Sequence, residues 1–234
     1  VVFGEGNPRA PLVLVGEGPG ETEDATGRPF VGRAGQLLDK ALLENGLTRE
    51  DVYICNTVKC RACDWSTGKP VNRAPTNEET ESCRQWLLPQ LALIAPKVIL
   101  CIGAPSAKNL IKKDFKITQE RGKFFKFMVG QDSSYHEGSD SFGLDRVGSD
   151  LSGSKSEPIR ANPDQTELIQ TKCILACLHP AYILRQANIS GDGGYSLLVA
   201  DIAKAWDTAI RLQNQAHEDS PEPATDEPPQ HVLF

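Results

Sequence analysis

The chain has 234 residues, 39% of them hydrophobic and 24% charged, with a formal net charge of −6. That is enough to bury one sizeable core, and no run approaches the roughly 18 consecutive apolar residues a spanning helix needs, which excludes a helical membrane protein and predicts a soluble, cytoplasmic chain. Seven cysteines are an odd number in a chain far longer than a disulfide-stapled miniprotein, so they read as thiols of a reducing compartment, some free for a metal or cluster.

In chain order, Pro11 to Val15 reads as a buried strand. Arg33 to Asn45 sets Leu37, Leu38, Ala41 and Leu42 on one helical face and stops at Gly46. Asp51 to Val58 is a second strand. Thr76 and Glu79 have the spacing of a capping box, from which Trp86, Leu87, Leu91 and Ile94 continue a helix. Lys97 to Ile102 is a third strand, a helix follows through about Lys112, Lys172 to Cys177 is a fourth strand, and Tyr195 to Leu212 is a closing helix. Such alternation predicts an α/β fold with a central, mainly parallel, four-stranded sheet between helices, in one domain over residues 1–212.

Two segments stand apart in composition. Gly130 to Gln170 is rich in Gly, Ser and Asp and lacks periodicity, so an inserted mobile segment is expected there. Residues 213–234 are rich in Pro, Glu and Asp and read as a disordered acidic tail. Each carries a net charge of −5, which leaves +4 for the remainder. A mildly basic core with two acidic appendages is compatible with nucleic acid as a partner.

The residues with chemistry gather where the strands end, which is where open α/β sheets bind ligands. Gly16-Glu-Gly-Pro-Gly-Glu21 follows the first strand, Asn56 ends the second, Gly103-Ala-Pro105 follows the third and His179-Pro180 the fourth. The glycines at 16, 18 and 20 do not match G-x-G-x-x-G, and no helical periodicity begins at the third, which argues against a dinucleotide site. They form instead a stiff turn that lets backbone amides approach a ligand. Phe30, between Pro29 and Gly32, is either a core residue or a face on which a base can stack. Asn56 either ties down a turn or reads a pyrimidine edge, since an amide can both accept from N–H and donate to C=O. His179 alone is a loop histidine, and becomes a catalytic candidate when it faces the same edge as Glu17 and Asn56.

Val2-Phe-Gly-Glu-Gly-Asn-Pro8, Gly16-Glu-Gly-Pro-Gly-Glu21, Gly27-Arg-Pro-Phe-Val-Gly-Arg-Ala-Gly-Gln-Leu-Leu38, Asn56-Thr-Val-Lys-Cys-Arg61 and His179-Pro-Ala-Tyr182 together resemble the consecutive motifs of family-four uracil-DNA glycosylases, the iron–sulfur type. The resemblance implies a three-layer α/β/α sandwich and hydrolysis of the N-glycosidic bond of flipped-out deoxyuridine in single- or double-stranded DNA, the first step of base excision repair. It implies that Phe30 stacks on uracil, that Asn56 bonds its O4/N3 edge, and that His179 aims a donor at O2 with backbone amides near Gly16 and Gly18. Glu17 is the candidate for positioning water or uracil, with Glu21 second. Pro19 and Gly20 are expected against DNA, and Ile183, Leu184 and Arg185 are candidates to plug the duplex and hold phosphate.

The same resemblance implies a 4Fe-4S cluster on four thiolates. Two ligands map onto Cys83 and Cys101. The other pair, a C-x-x-C just upstream of the segment that opens this chain, is absent; the chain begins at Val1 rather than Met, so it is expected to have been cut after that pair. Cys60-Arg-Ala-Cys63 has the spacing of a substitute. Relatives that trap uracil covalently use a histidine in the loop matching Lys59 to Arg73, which has none here, so turnover is expected. The alternative is a non-catalytic DNA-binding module of a replication or repair assembly, which would need no uracil pocket. A monomer is expected, and the end Gln230-His-Val-Leu-Phe234 resembles peptides that dock in the apolar groove of sliding clamps through Leu233 and Phe234.

Overall fold

The computed structural model describes residues 1–66, 68–127, 173–187 and 191–218. The expectations for the 130–170 insertion and for the clamp-docking end lie outside these residues. In chain order the elements are β1 (Glu5–Gly6), β2 (Leu12–Gly16), α1 (Glu21–Thr26), α2 (Arg33–Glu44), β3 (Tyr53–Asn56), β4 (Cys63–Asp64), β5 (Val71–Asn72), α3 (Asn77–Ile94), β6 (Val98–Ile102), α4 (Ala104–Leu110), α5 (Ile117–Glu120), β7 (Cys173–Cys177), α6 (Pro180–Gln186) and α7 (Tyr195–Glu218).

The central sheet runs β1-β3-β2-β6-β7, with β3, β2, β6 and β7 parallel and β1 antiparallel at the edge. It has five strands rather than the expected four. The additional strand has two residues, one of them glycine, too few to show an alternating pattern in sequence. A separate two-stranded ribbon, β4-β5, was also not expected.

Alternation along the strands builds the layers. Leu12, Leu14, Val98, Leu100, Ile102, Leu175 and Cys177 share one core with residues of α2, α6 and α7. Val13, Val15, Ile99, Cys101, Ile174 and Ala176 share the other with Leu87 and Leu91 of α3 and Ala107 of α4. Both faces are therefore apolar, as parallel strands between two helical layers require, and the result is the three-layer α/β/α sandwich. The capping box of α3 is present as expected: Thr76 Oγ1 accepts from Glu79 N at 3.1 Å and Glu79 Oε2 accepts from Thr76 N at 2.8 Å.

Three local expectations change. A helix, α1, does begin after Gly20; it buries no residue, so it leaves no apolar period, and its signals are the glycines at its two ends. The segment after His179, expected as a loop, is the short helix α6, with Pro180 in its first turn. Helix α7 runs to Glu218, past Leu212, because Gln213 to His217 contains no helix breaker and the first proline after it is Pro221.

An ion pair with a buried carboxylate fastens the far edge. Arg121 donates to Asp201 of α7 through Nε at 2.9 Å and Nη2 at 2.7 Å, and to Leu197 O at 3.0 Å. Burial raises the Asp201 carboxyl above its usual range even with Arg121 against it. Arg121→Met would leave that carboxylate buried and unpaired, so it is expected to cost about 3 kcal/mol, read from the urea midpoint at pH 7. The deficit should shrink as pH falls toward 5, because protonation neutralises the orphaned group; a pH-independent deficit would contradict this.

Candidate active site

The carboxyl ends of β2 and β3 lie side by side, with Gly16 in register with Asn56. Pairing continues beyond the strands: Thr57 N donates to Gly16 O at 2.9 Å, Val58 N to Glu17 O at 3.1 Å, and Thr57 Oγ1 to Glu17 O at 2.5 Å. This zipper fixes the glycine turn. Beyond it opens a cleft of about 290 Å³ lined by Glu17, Gly18, Pro19, Gly20, Phe30 and Asn56, with His179 and Ala181 across from them. That volume is near the lower end of the ~300–1,000 Å³ of small-molecule pockets.

Asn56 is 1% exposed, and its Oδ1 has no hydrogen-bond partner. A buried acceptor left unpaired costs about 1–3 kcal/mol, which a ligand N–H would recover. Its backbone is held from behind: the buried ammonium of Lys59 donates to Asn56 O at 3.0 Å, Gln90 Oε1 at 2.6 Å and Phe3 O at 3.2 Å. Gln90 in turn donates to Phe3 O and to the Tyr53 hydroxyl, each at 3.1 Å.

Phe30 sits in the left-handed region, at φ 52, which a bulky residue adopts only when its surroundings impose it. Arg49 does so, donating to Phe30 O and, at 2.9 Å, to Pro29 O, while Asp39 accepts from Arg49 Nε at 2.7 Å. The bend also needs Gly35 of α2, where a Cβ would fall 1.7 Å from Phe30 O. The Phe30 ring then lies 6.0 Å from the His179 ring, at 33°.

His179 caps α6, its Nδ1 accepting from Ala181 N at 3.1 Å. A neutral imidazole that accepts at Nδ1 carries its proton on Nε2. Burial, and then the charge of Arg185, push its pKa down to about 4, so it is neutral at pH 7. Gly103 makes room for it: a Cβ there would be 2.9 Å from that of His179. Burial also raises the Glu17 carboxyl above its usual range.

Glu17, Gly18, Phe30, Asn56 and His179 therefore converge, with Gly16 as the floor beneath Phe30 and Asn56, and Pro19 and Gly20 on the wall. Other sequence candidates need correction. Glu21 is exposed, outside the cleft lining, with its carboxylate 3.9 Å from Arg61; the first turn of α1 turns it away. Ile183 is buried in the core beneath α6 and cannot wedge between bases, leaving half-buried Leu184 and exposed Arg185 on that helix. Cys101 lies at mid-strand in β6, fully buried on the face that packs on α3 and α4, and burial pushes its thiol up to about 12. That setting does not suit a thiolate ligand. Among the described residues no three His, Cys, Asp or Glu side chains come together to hold a metal ion, so the residues present do not by themselves fit a four-thiolate cluster.

Several cleft residues escaped the sequence reading. Glu23 accepts from Val31 N at 3.0 Å, Gly32 N at 2.7 Å and Gly20 N at 3.2 Å, joining the glycine turn to the Phe30 loop. The G-x-x-E spacing of Gly20 and Glu23, akin to that of Thr76 and Glu79, is the signal that could have found it. Ala62, Asn72 and Arg73, at the root of the β4-β5 ribbon, also line the cleft and left no local signal.

A model of the Uracil DNA glycosylase superfamily matches residues 3–203. The chain is 50% identical over 132 residues to a type-4 uracil-DNA glycosylase of Thermotoga maritima, 47% over 128 residues to one of Archaeoglobus fulgidus, and 46% over 111 residues to one of Pyrobaculum aerophilum. These stretches are 56%, 53% and 47% of this chain. They are 65%, 61% and 53% of the respective relatives, so the matched stretches span just over half to two thirds of each relative's length.

The packing of Gly35 under the Phe30 carbonyl gives a direct test. Backbone on both sides cannot yield, so Gly35→Ala is expected to cost about 2–3 kcal/mol by urea unfolding. An unchanged midpoint would show that Phe30 is not held as described.

Proposed function

Because the chain belongs to the uracil DNA glycosylase superfamily, we propose that it hydrolyses the N-glycosidic bond of deoxyuridine in DNA, releasing uracil and leaving an abasic site. The observation that carries this reading is the unpartnered Oδ1 of buried Asn56 beside the Phe30 ring, in a cleft whose other wall is a neutral histidine. An amide edge next to an aromatic face is what a flipped-out pyrimidine needs, and extrusion costs only a few kcal/mol. Asn56 Oδ1 accepts from uracil N3–H, its amide donates to O4, and Phe30 stacks on the ring.

In the reaction a water oxygen bonds to the sugar C1′ while the C1′–N1 bond breaks, its electron pair going to uracil. Negative charge builds on uracil O2 as positive charge builds on the sugar. His179 donates its Nε2–H to O2; a fixed, desolvated donor stabilises charge that develops in the transition state more than the ground state. Amides at Gly16 and Gly18 assist. Glu17 accepts a hydrogen bond from the water and orients it toward C1′. The water's second proton ends on uracil, which leaves neutral.

The DNA partner is single- or double-stranded, held by Pro19 and Gly20 at the cleft and by Leu184 and Arg185 on α6. We extend the proposal to a monomeric cytoplasmic enzyme that reaches a sliding clamp through Leu233 and Phe234. No helix among the described residues is long and apolar enough to cross a membrane.

The iron–sulfur cluster that the resemblance implies would be structural when bound, and no step above passes through it. For its thiolates on this chain we propose Cys83, as expected, with Cys60 in place of Cys101. Cys60 is exposed and follows Lys59, whose buried ammonium feels the charge of Cys83. Iron content and visible charge-transfer absorption of the anaerobically purified protein should survive Cys101→Ala and be lost in Cys83→Ser and Cys60→Ser. Loss in Cys101→Ala alone would overturn the assignment.

A uracil-containing oligonucleotide tests the activity: alkali should cut the product at an abasic site, and binding without that product would sink the enzyme. His179→Ala is expected to slow single-turnover excision by roughly 10²-fold, the worth of one transition-state donor, with DNA affinity retained. Since the donor is the neutral ring and its pKa is about 4, excision by the parent should show no His-dependent loss on passing from pH 7.5 to 5.5. A fall centred near pH 6.5 that His179→Ala removes would contradict a desolvated histidine.

A further inference from the structure

The β4-β5 ribbon is outside the machinery described so far, yet it grows from the rim of the cleft. Its strands pair Cys63 with Asn72 and Asp64 with Val71, and Arg73 N donates to Ala62 O at 3.1 Å below them. Ala62, Asn72 and Arg73 are cleft residues. Arg61 braces the ribbon from below, donating through Nε to Asn72 Oδ1 at 2.6 Å. The far end is closed by a turn in which Ser66 N donates to Asp64 Oδ1 at 2.9 Å and Gly68 N to Trp65 O at 3.0 Å.

Trp65 opens this turn and is 65% exposed, unusual for the largest apolar side chain. Trp65 follows Asp64 directly, at the outer end of a ribbon whose root residues Ala62, Asn72 and Arg73 line the cleft. Of the cations in this segment, Arg73 pairs with Glu79 at 2.7 Å and Arg61 lies 3.9 Å from Glu21, so they hold the ribbon in place. An exposed indole on a ribbon rooted in the cleft wall fits one occupant better than any other: a polynucleotide continuing out of the cleft.

We propose that the β4-β5 ribbon is a second DNA-contacting element, in which Trp65 stacks on a nucleobase next to the flipped-out nucleotide. Stacking on an aromatic side chain is indifferent to base identity, so this contact adds affinity for the strand without adding sequence preference. The inference rests on the glycosylase reading for what fills the cleft, and its test separates the two.

The probe is a short single-stranded oligonucleotide bearing one 2′-fluorinated deoxyuridine, which resists excision, titrated into the full chain. Trp65→Ala should weaken binding about tenfold, within the range for losing one base–aromatic stack, and Trp65→Phe should retain most of the affinity. Inhibition by free uracil should be unchanged in both, because uracil occupies only the cleft. Equal oligonucleotide affinity for Trp65→Ala and the parent overturns the proposal. So does a Trp65→Phe protein as weak as Trp65→Ala, or a parallel loss of inhibition by free uracil, which would mean that Trp65 acts through the pocket. Excision by the parent is scored separately: a parent that binds the probe but never releases uracil from an unmodified oligonucleotide defeats the glycosylase reading, and the Trp65 comparison still decides the ribbon.

Discussion

A Cβ at Gly16 would lie 2.4 Å from both Asn56 Oδ1 and Phe30 Cζ, so the end of the first long strand must carry no side chain for the other two groups to meet. Parallel register sets Gly16 beside Asn56, and after α1 the chain brings Phe30 back over the same point. What glycine leaves free is taken by the aromatic edge and the amide. The site is therefore a consequence of sheet register, and a one-residue slip would turn Asn56 to the opposite face.

The two groups that meet there are both held at a cost. Phe30 has a left-handed backbone, and Asn56 has a buried acceptor without a partner. Strain of this sort persists only where the surroundings over-determine it. Here Arg49, with Asp39 behind it, grips the carbonyls of Pro29 and Phe30, and Lys59 grips the carbonyl of Asn56. Both cations hold backbone oxygens of the site in place, which makes them positioning residues. Burial lowers the Lys59 pKa, and its three acceptors and the Phe3 ring 5.3 Å away help to offset the loss of water.

His179 shows how one local motif sets chemistry. Capping α6 through Nδ1 fixes the tautomer, the space left by Gly103 fixes the ring's place, and loss of solvent keeps it uncharged. A protonated histidine would offer the same donor but would have to be desolvated with its charge. The neutral ring is ready without that reorganisation.

The sequence by itself determined the order and type of the long elements, because each buried face writes a period of two or about 3.6 into the chain; the strands around Leu14, Cys55, Leu100 and Leu175 and the capped helix from Thr76 were all legible. It also determined that Glu17, Asn56 and His179 lie on one edge, since parallel strands must all end there. Elements that bury nothing, such as α1 and the β4-β5 ribbon, left no such trace. Only the tertiary structure decided that Phe30 bends back over Gly16, that Ile183 faces the core rather than DNA, that Cys101 is sealed between sheet and helices, and that Glu23 and Arg49 brace the cleft. Those properties depend on contacts between residues distant in sequence and on how far each group is removed from water, and neither is encoded in local spacing.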